Sequence, residues 1–274
     1  SLSRPRCQRN GLLPLTLRLT LRALKLIISN MIRTIEELSL NAWPALQTVL
    51  ADGWVHRFAG GYTRRANSVN PLYPTTQALA TKVARSETLY RERTLPVIFK
   101  LTTASCPAGL DDFLADRGYA LDAQTSVQTL DLTQWQGESR GEVELAASVT
   151  APWFEAFCRA SSLAEQRRPI AWQMLHAIVS PAAFALIRRE DQVVTCGFAV
   201  AQDGYVGFYD IVTEPRYRRR GLAGQLMHAL LAWGQAQGAH TAYLQVMLNN
   251  PPALALYAGL GFREIYQYWY RVRP

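Results

Sequence analysis

Arginine and glycine residues are concentrated in one short stretch, YDIVTEPRYRRRGLAGQLMHALLAW, which runs from Tyr209 to Trp233. Four arginines, three of them consecutive at 218–220, lie just before Gly221. Guanidinium groups bind phosphate through charge-assisted hydrogen bonds. The free amides of a helix N-terminus bind anions wherever small residues allow close approach. The types and order of these residues therefore predict a phosphate-binding site.

The flanking residues predict the elements that would position this site. The apolar run GYVGFYDIV favours a strand, and Pro215 ends it because proline donates no ladder hydrogen bond. Beyond Gly221, apolar residues recur on one helical stripe: Leu222, Leu226, Ala229, Leu230 and Trp233. Gly221, Ala223 and Gly224 then fall in the first helical turn, where small side chains expose backbone amides to a ligand.

A second pattern, NPPALALYAGLGF at 250–262, follows about thirty residues later. An isolated R-x-x-G-x-A would be weak evidence for a function. The combination of Val212-x-x-Pro215-x-x-Arg218-x-x-Gly221-x-Ala223 with this N-x-x-A-x-x-L-Y-x-x-x-G-F pattern closely resembles motifs of the GNAT superfamily, the acetyl-CoA-dependent N-acetyltransferases. The resemblance covers roughly residues 145–274 and implies an acyltransferase whose acyl donor is acetyl-CoA.

The resemblance also implies roles for individual residues. The loop and helix start would bind the coenzyme A pyrophosphate through Arg218, Arg219, Arg220, Gly221, Leu222, Ala223 and Gly224. Ile211 and Val212 would lie along the pantetheine arm, and one strand amide would polarise the thioester carbonyl. Asn250 corresponds to the family's asparagine beside the pantetheine, although a helix N-cap before Pro251 explains it equally well. Tyr257 corresponds to the tyrosine that protonates the departing thiolate, with core packing as the alternative.

The reaction requires a neutral amine, so a base is expected near the thioester carbonyl. Asp210 is the first candidate and Glu214 the second, although strand alternation could turn Asp210 away from the acceptor. The acceptor pocket is expected in the helical region that contains Trp153, Phe154, Phe157, Arg167, Arg168 and Trp172. Aromatic residues in such a region are more often part of a core.

The order of elements repeats in the two halves of the chain. Placing Gly118-Tyr119 over Gly261-Phe262 aligns AGLDDFLADRGY with PPALALYAGLGF, each after an apolar strand. The sequence therefore predicts an α/β fold of two tandem GNAT-like domains, 31–138 and 139–274, each a mostly antiparallel sheet flanked by helices. The first half lacks R-x-x-G-x-A and has Leu114 in the place of Tyr257. We expect it to be degenerate and the active site to lie in the second half.

Local signals predict the elements of the first half. Thr34 and Glu37 form a capping box that should open a helix, and Pro44 should restart it. Gly60-Gly61 favours a hairpin between two strands. Apolar spacing predicts helices within 75–93 and 108–119 and strands at 95–102 and 126–132.

The charge of the chain is unevenly distributed. Of the net +8, +6 lies in residues 1–30, which contain six basic residues and no acid. We expect this basic extension to lie outside the fold, with natural translation beginning at Met31. The remaining charge does not indicate nucleic-acid binding, and no apolar run is long enough for a membrane span. The dispersed cysteines and histidines argue against a metal site.

These observations together predict a cytoplasmic N-acetyltransferase, a monomer or homodimer, that acts on a primary amine of a small molecule, amino acid or peptide. The alternative is a non-catalytic acyl-CoA-binding sensor or protein-interaction module. Retention of both the arginine loop and Tyr257 in one half favours the enzyme.

Overall fold

The computed structural model describes residues 15–138 and 141–273. The first half contains three helices and five strands: α1 (Leu15–Ala42), β1 (Gln47–Ala51), β2 (Trp54–Phe58), β3 (Val69–Asn70), α2 (Leu79–Arg91), β4 (Val97–Thr102), α3 (Leu110–Ala115) and β5 (Ala120–Asp131). The second half contains β6 (Glu144–Ala146), α4 (Ala151–Ala160), α5 (Arg168–His176), β7 (Ala182–Arg189), β8 (Gln192–Gln202), β9 (Tyr205–Thr213), α6 (Leu222–Ala236), β10 (Thr241–Met247), α7 (Pro251–Gly259) and β11 (Arg263–Arg273). Both halves thus end in the same series of strand, long helix, strand, short helix and strand.

All eleven strands form one continuous mixed sheet with the order β1-β2-β3-β4-β11-β5-β10-β9-β8-β7-β6. The last strands of the two halves are exchanged: β5 lies beside β10, and β11 lies beside β4. The two exchanged strands also pair with each other. Because each half completes the sheet of the other, the halves are joined by backbone hydrogen bonds as well as by side-chain packing.

The sheet is covered on both faces by apolar side chains, and neighbouring residues alternate between them. On one face, Ile35 of α1 and Trp153 of α4 belong to a core that also contains Tyr243 of β10. On the other face, α6 packs through residues such as Leu230 against a core that contains Leu244. Helices α2 and α3 cover the first half on this second face. The strands β9 and β10 therefore lie between two helical layers.

Two predictions for the first half were wrong, and a third was right only in part. Thr34 does not open a helix but lies inside α1 (Leu15–Ala42), and its hydroxyl donates to the Asn30 carbonyl, 3.0 Å away. Pro44 does not restart the helix, since a strand follows at Gln47–Ala51. The tight hairpin lies at Asp52-Gly53 between β1 and β2, both residues having positive φ.

The strands on either side of Gly60-Gly61 do pair antiparallel, but β3 has only two residues and a ten-residue loop, 59–68, precedes it. Within the predicted basic extension, residues 15–30 belong to α1, whereas residues 1–14 lie outside the described residues. Leu26 and Ile27 are 62% and 65% exposed, and among the side chains of residues 23–42 the first buried one is Ile32. The other predicted helices and strands correspond to elements of the structure. The division of the chain near residue 138 stays a prediction.

Candidate functional site

A cleft of about 800 Å³ opens where β9, α6 and α7 meet. It contains most of the residues that the sequence singled out, although α6 and α7 are separate in the chain. Its walls are Ala160, Ile211, Val212, Thr213, Tyr217, Arg218, Arg219, Gly221, Leu222, Ala223, Gly224, Asn250, Pro252, Ala253, Leu256 and Tyr257. Its volume is in the range typical of small-molecule and cofactor sites.

The floor of the cleft is formed by the diverging ends of two parallel strands. Pairing of β9 with β10 stops at Phe208 and Leu244, although β9 continues to Thr213 and β10 to Met247. Beyond that point the edge of β9 that faces β10 has no ladder partner. Its backbone groups can therefore pair with an extended ligand in the manner of an added strand.

The N-terminus of α6 lies at one end of the cleft with its amides exposed. Gly221 is the N-cap residue in the left-handed conformation, φ +76°, and no side chain caps the helix. A Cβ at Gly221 would have no protein atom within 4 Å, and one at Gly224 would have only Leu256 Cδ1, at 3.8 Å. The first helical hydrogen bond is donated by Gln225 to Gly221. The preceding amides and the positive end of the helix are thus available to an anion.

The three consecutive arginines lie in different places. Arg218 and Arg219 line the cleft, and Arg218 Nε donates to the Thr213 carbonyl, 3.1 Å away. Arg220 lines an adjoining pocket of about 250 Å³ that also contains Arg189. The Arg220 guanidinium lies 5.3 Å from the ring centre of Tyr217, which borders both spaces. Cations therefore line both the cleft and the pocket that adjoins it at Tyr217.

Helix α7 contributes the two residues predicted from the second motif. Asn250 caps the helix, its Oδ1 accepting from the Ala253 amide at 3.3 Å, and it also lines the cleft. Tyr257 lines the cleft with 9% of its surface exposed. Burial, with a smaller contribution from the charge of Asp210, raises the pKa of Tyr257 to about 12. Tyr257 therefore stays protonated at neutral pH. Because its hydroxyl has no hydrogen bond within the described chain, that hydroxyl is available to donate a proton to a ligand.

Asp210 lies at a β-bulge and does not line the cleft. The register of β9 against β8 shifts here, so that Asp210 and Ile211 together face Gly197. A Cβ on Gly197 would lie 3.1 Å from the Ile211 Cα, which explains the glycine. Asp210 Oδ1 is 3.5 Å from Arg65 Nη2, whereas Oδ2 is buried and has no hydrogen-bond partner. Burial raises the pKa of Asp210, and Arg65 opposes that rise.

The other residues considered near the acceptor are already bonded or buried. Glu214 accepts from Arg159 Nε at 3.0 Å. Trp153 is fully buried, and its indole donates to the carbonyls of Ala185 and Gly197, both 3.0 Å away. The aromatic residues of α4 are therefore core residues. Arg168 forms an ion pair with Glu155, and neither it nor Arg167 lines the cleft.

The corresponding loop of the first half is filled by a side chain of the protein itself. The Asp52 carboxylate accepts from the amides of Thr76 and Gln77, at 3.0 and 3.1 Å, just before α2. Lys82 Nζ lies 3.0 Å away from it. The hydrogen bond that the Thr75 hydroxyl donates to Asp52, together with these contacts, holds the pKa of Asp52 far below its usual range. An internal carboxylate thus occupies the loop that in the second half is open to an external anion.

Several residues of the site were not identified from the sequence. Tyr217 lies inside the arginine stretch, and its position between Pro215 and Arg218 could have identified it as a residue of the site. Leu256 and Ala253 belong to the second motif and could have been read from it. Arg65 had no such signal, since 145 residues separate it from Asp210. Among the described residues, no cluster of ligands suits a metal ion and no helix is long and apolar enough to cross a membrane.

Comparison with known proteins shows the family of the chain. The model of a family described as "Probable histone acetyltransferase Rv0428c C-terminal" matches residues 29–271. The "Uncharacterized N-acetyltransferase YobR" of Bacillus subtilis is 28% identical over 246 residues, 88% of this chain and 98% of that protein. The ribosomal protein bS18-alanine N-acetyltransferase of Escherichia coli is 38% identical over 56 residues, 20% of this chain and 38% of that protein.

Solved structures show the same fold. A GCN5-related N-acetyltransferase from Kribbella flavida superimposes with a TM-score of 0.65 at 17% identity, over 88% of this chain and 95% of that chain. A tandem GNAT protein from the clavulanic acid biosynthesis pathway gives a TM-score of 0.57 at 16% identity, over 71% and 69% of the two chains. The predicted fold class and family resemblance are confirmed. The chain belongs to the family of the Rv0428c C-terminal region, is a GNAT-type acetyltransferase by that membership, and is therefore an acyltransferase.

Proposed function

We propose that the protein transfers an acetyl group from acetyl-CoA to a primary amine by direct attack in a ternary complex. The acceptor is a small molecule, an amino acid or a peptide. The observation that carries the proposal is the open helix start of α6, where Gly221 and Gly224 leave space and free amides in the same cleft as Tyr257. Both features are needed, because acetyl transfer requires an anion site for the coenzyme and an acid for the departing thiolate, held at a fixed distance from each other.

The residues of the cleft suit the parts of a coenzyme A thioester. The amides of Leu222, Ala223 and Gly224, together with Arg218 and Arg219, would hold the pyrophosphate. Arg220 and Arg189, in the adjoining pocket, would meet an outer phosphate. The unpaired edge of β9 at Ile211 and Val212 and the amide of Asn250 would hold the pantetheine arm.

In the proposed reaction acetyl-CoA supplies an activated acyl group, and the chain positions it and moves protons. A backbone amide of β9 beyond Phe208, where its pairing with β10 stops, would donate to the thioester carbonyl and stabilise the negative charge that develops on the carbonyl oxygen. Tyr257 would donate a proton to the sulfur as the C–S bond breaks, because its raised pKa keeps it protonated. Asp210 would accept a proton from the acceptor's nitrogen.

One site per chain is proposed, in the second half. In the first half, Asp52 fills the loop before α2, and Ala78 takes the N-cap position that Gly221 holds at α6. A bound phosphate there would compete with a carboxylate that already has five hydrogen-bond donors around it.

Isothermal titration calorimetry with acetyl-CoA and a thiol-release assay over a panel of amines test the proposal. We expect binding of about one acetyl-CoA per chain and amine-dependent thiol release. Tight binding without turnover on any amine, amino acid or peptide would favour the sensor or protein-interaction module. Absence of acetyl-CoA binding would refute both functions.

A further inference from the structure

The loop 59–68 of the first half extends to β9 of the second half. Its Arg65 places Nη2 3.5 Å from Asp210 Oδ1. The guanidinium carbon also lies 5.8 Å from the ring centre of Tyr209 and 4.9 Å from that of Trp43. The first half, in which Asp52 fills the loop before α2, thus contacts the β-bulge at Asp210 in the second half.

The loop is held in one conformation by buried hydrogen bonds. Asn67 Oδ1 accepts from the amides of Ala59 and Gly61, at 2.8 and 2.9 Å, and its Nδ2 donates to carbonyls of the same loop. Arg57 Nη1 donates to the Arg65 carbonyl at 2.7 Å. Because both the backbone and the ring contacts of Arg65 are fixed, its guanidinium has a defined position.

The bulge explains how Asp210 meets this arginine. In a regular strand, Tyr209 and Asp210 would point to opposite faces of the sheet. The extra residue of the bulge turns both toward Arg65, and Asp210 itself has a positive φ of 51°. One carboxylate oxygen, Oδ1, is then held by Arg65, while Oδ2 is buried without a partner. A buried oxygen without a donor is costly unless a ligand supplies one.

We propose that Arg65 is a positioning residue for the acetyl transfer, which binds Oδ1 of Asp210 and holds the carboxylate, whose side chain is 15% exposed, in place as the base for the acceptor amine. The inference rests on the proposed function, in which Asp210 is the base. It makes the active site a composite of both halves, and it gives the first half a role that does not require its own coenzyme site.

The proton and bond changes are balanced without further reactants. The Asp210 carboxylate accepts one proton from the acceptor's ammonium group, and the neutral nitrogen forms the new C–N bond and then loses its second proton to water. The C–S bond breaks, and the thiolate takes a proton from Tyr257. Exchange of protons with water then restores Tyr257 and Asp210. Arg65 keeps its proton throughout, and its charge opposes the rise in the pKa of Asp210 that burial causes.

The titratable groups facing Asp210 come from three other elements. They are Arg65 and Tyr62 on the loop 59–68, Cys196 on β8 and Tyr257 on α7. Burial raises the pKa of Tyr62, Cys196 and Tyr257, so these three groups are neutral at neutral pH. Arg65 is therefore the charged partner of Asp210, and it lowers the pKa of that carboxyl against the larger effect of burial.

The experiment compares Arg65→Met and Arg65→Lys with a matched control, Arg64→Met. Arg64 lies in the same loop and forms a more exposed pair with Asp122, at 2.5 Å. Two measurements are made on each folded variant: the titration of the Asp210 carboxyl carbon by 13C NMR, assigned with Asp210→Asn, and the pH profile of kcat/KM for an acetylated amine. The dissociation constant of acetyl-CoA is measured beside them.

For Arg65→Met we expect a higher pKa of Asp210 and an acidic limb of the pH profile moved to higher pH. We also expect kcat to fall about 10- to 100-fold, as for a displaced catalytic group, with acetyl-CoA affinity unchanged. Arg65→Lys should recover part of both effects, and Arg64→Met should show neither. If Arg65→Met does not fold, Arg65→Lys against Arg64→Met provides the same comparison.

An Asp210 titration that does not respond to either Arg65 variant would overturn the inference. So would a shifted titration with an unchanged pH profile and kcat, because the pair would then be structural only. Failure of the wild-type protein to bind acetyl-CoA would instead refute the proposed function. The two failures can be told apart, because the NMR titration of Asp210 needs neither coenzyme nor turnover.

Discussion

Gly221→Ala tests the helix start of α6 most directly. The backbone of Gly221 is in the left-handed region, φ +76°, and the space beside its Cα is open to the cleft. A methyl group there has two separate consequences. It strains the backbone of the protein, and it occupies the space through which a pyrophosphate would approach the amides of α6.

The two consequences have different magnitudes and appear in different measurements. An alanine in the left-handed region costs about 1–2 kcal/mol of stability, and each kcal/mol lowers Tm by about 2–4 °C in a protein of 150–250 residues. Loss of one hydrogen bond to a charged phosphate costs about 1.5–3 kcal/mol of binding, which corresponds to an increase of about 10- to 100-fold in the Kd of acetyl-CoA.

Gly238→Ala is the matched control. Gly238 follows α6 at its other end, has φ +80°, and likewise has no protein atom within 4 Å of an added Cβ. The Gly238→Ala variant should lose as much stability as Gly221→Ala, because the backbone strain is the same, but its affinity for acetyl-CoA should be unchanged. Thermal unfolding followed by circular dichroism gives the first quantity, and isothermal titration calorimetry below the unfolding range gives the second.

A fall in acetyl-CoA affinity of the same size in both variants would mean that strain, not the occupied space, weakens binding. An unchanged affinity in Gly221→Ala would remove the helix start from the coenzyme site. Either result would refute the reasoning that the small residues of α6 are there for a ligand.

The other predictions concern the same cleft and the filled loop of the first half. Gly224→Ala should raise stability by up to about 1 kcal/mol, since alanine is the better helix former, yet weaken acetyl-CoA binding in calorimetry; tighter or equal binding would contradict the placement of the pyrophosphate. Tyr257→Phe should lower kcat with little change in the Kd of acetyl-CoA, as measured by thiol release and calorimetry, and full activity would exclude the acid role. Asp52 has a lowered pKa when folded, so its carboxylate stabilises the protein above the unfolded-state pKa of about 4 and progressively less as pH falls below it. Tm measured against pH should therefore decline more steeply for the wild type than for Asp52→Asn, and parallel curves would show that the loop does not depend on this charge.

Much of the fold could be predicted from the sequence wherever local pattern and packing agree. The apolar runs of β8 and β9 and the helical stripe of α6 are strong signals, and the structure has strands and a helix there. The failures were local signals that tertiary packing overrode. Thr34 has a capping pattern, but Ile32 and Ile35 continue the buried face of α1 on both sides of it.

Most residues of the two motifs lie together in the cleft, whereas Asp210 and Glu214 do not line it. Residues of one motif are brought together by a single loop and helix, so Ile211, Val212 and Gly221 to Gly224 were found at once. The roles of these residues stay predictions, as do the acceptor and the oligomeric state. Arg220 lies in the adjoining pocket because the loop turns between Arg219 and Gly221, where both residues have positive φ.

The sequence by itself determined the family and the small residues at the start of α6, because each depends on residues close together in the chain, whereas the fold brings that start to Tyr257 of α7. Tertiary structure alone decided which groups surround Asp210. A bulge in β9 turns this residue toward Arg65, and an exchange of β5 and β11 holds the two halves in one sheet. Neither a register shift nor a contact across 145 residues has a local pattern, since both result from how the strands close the sheet.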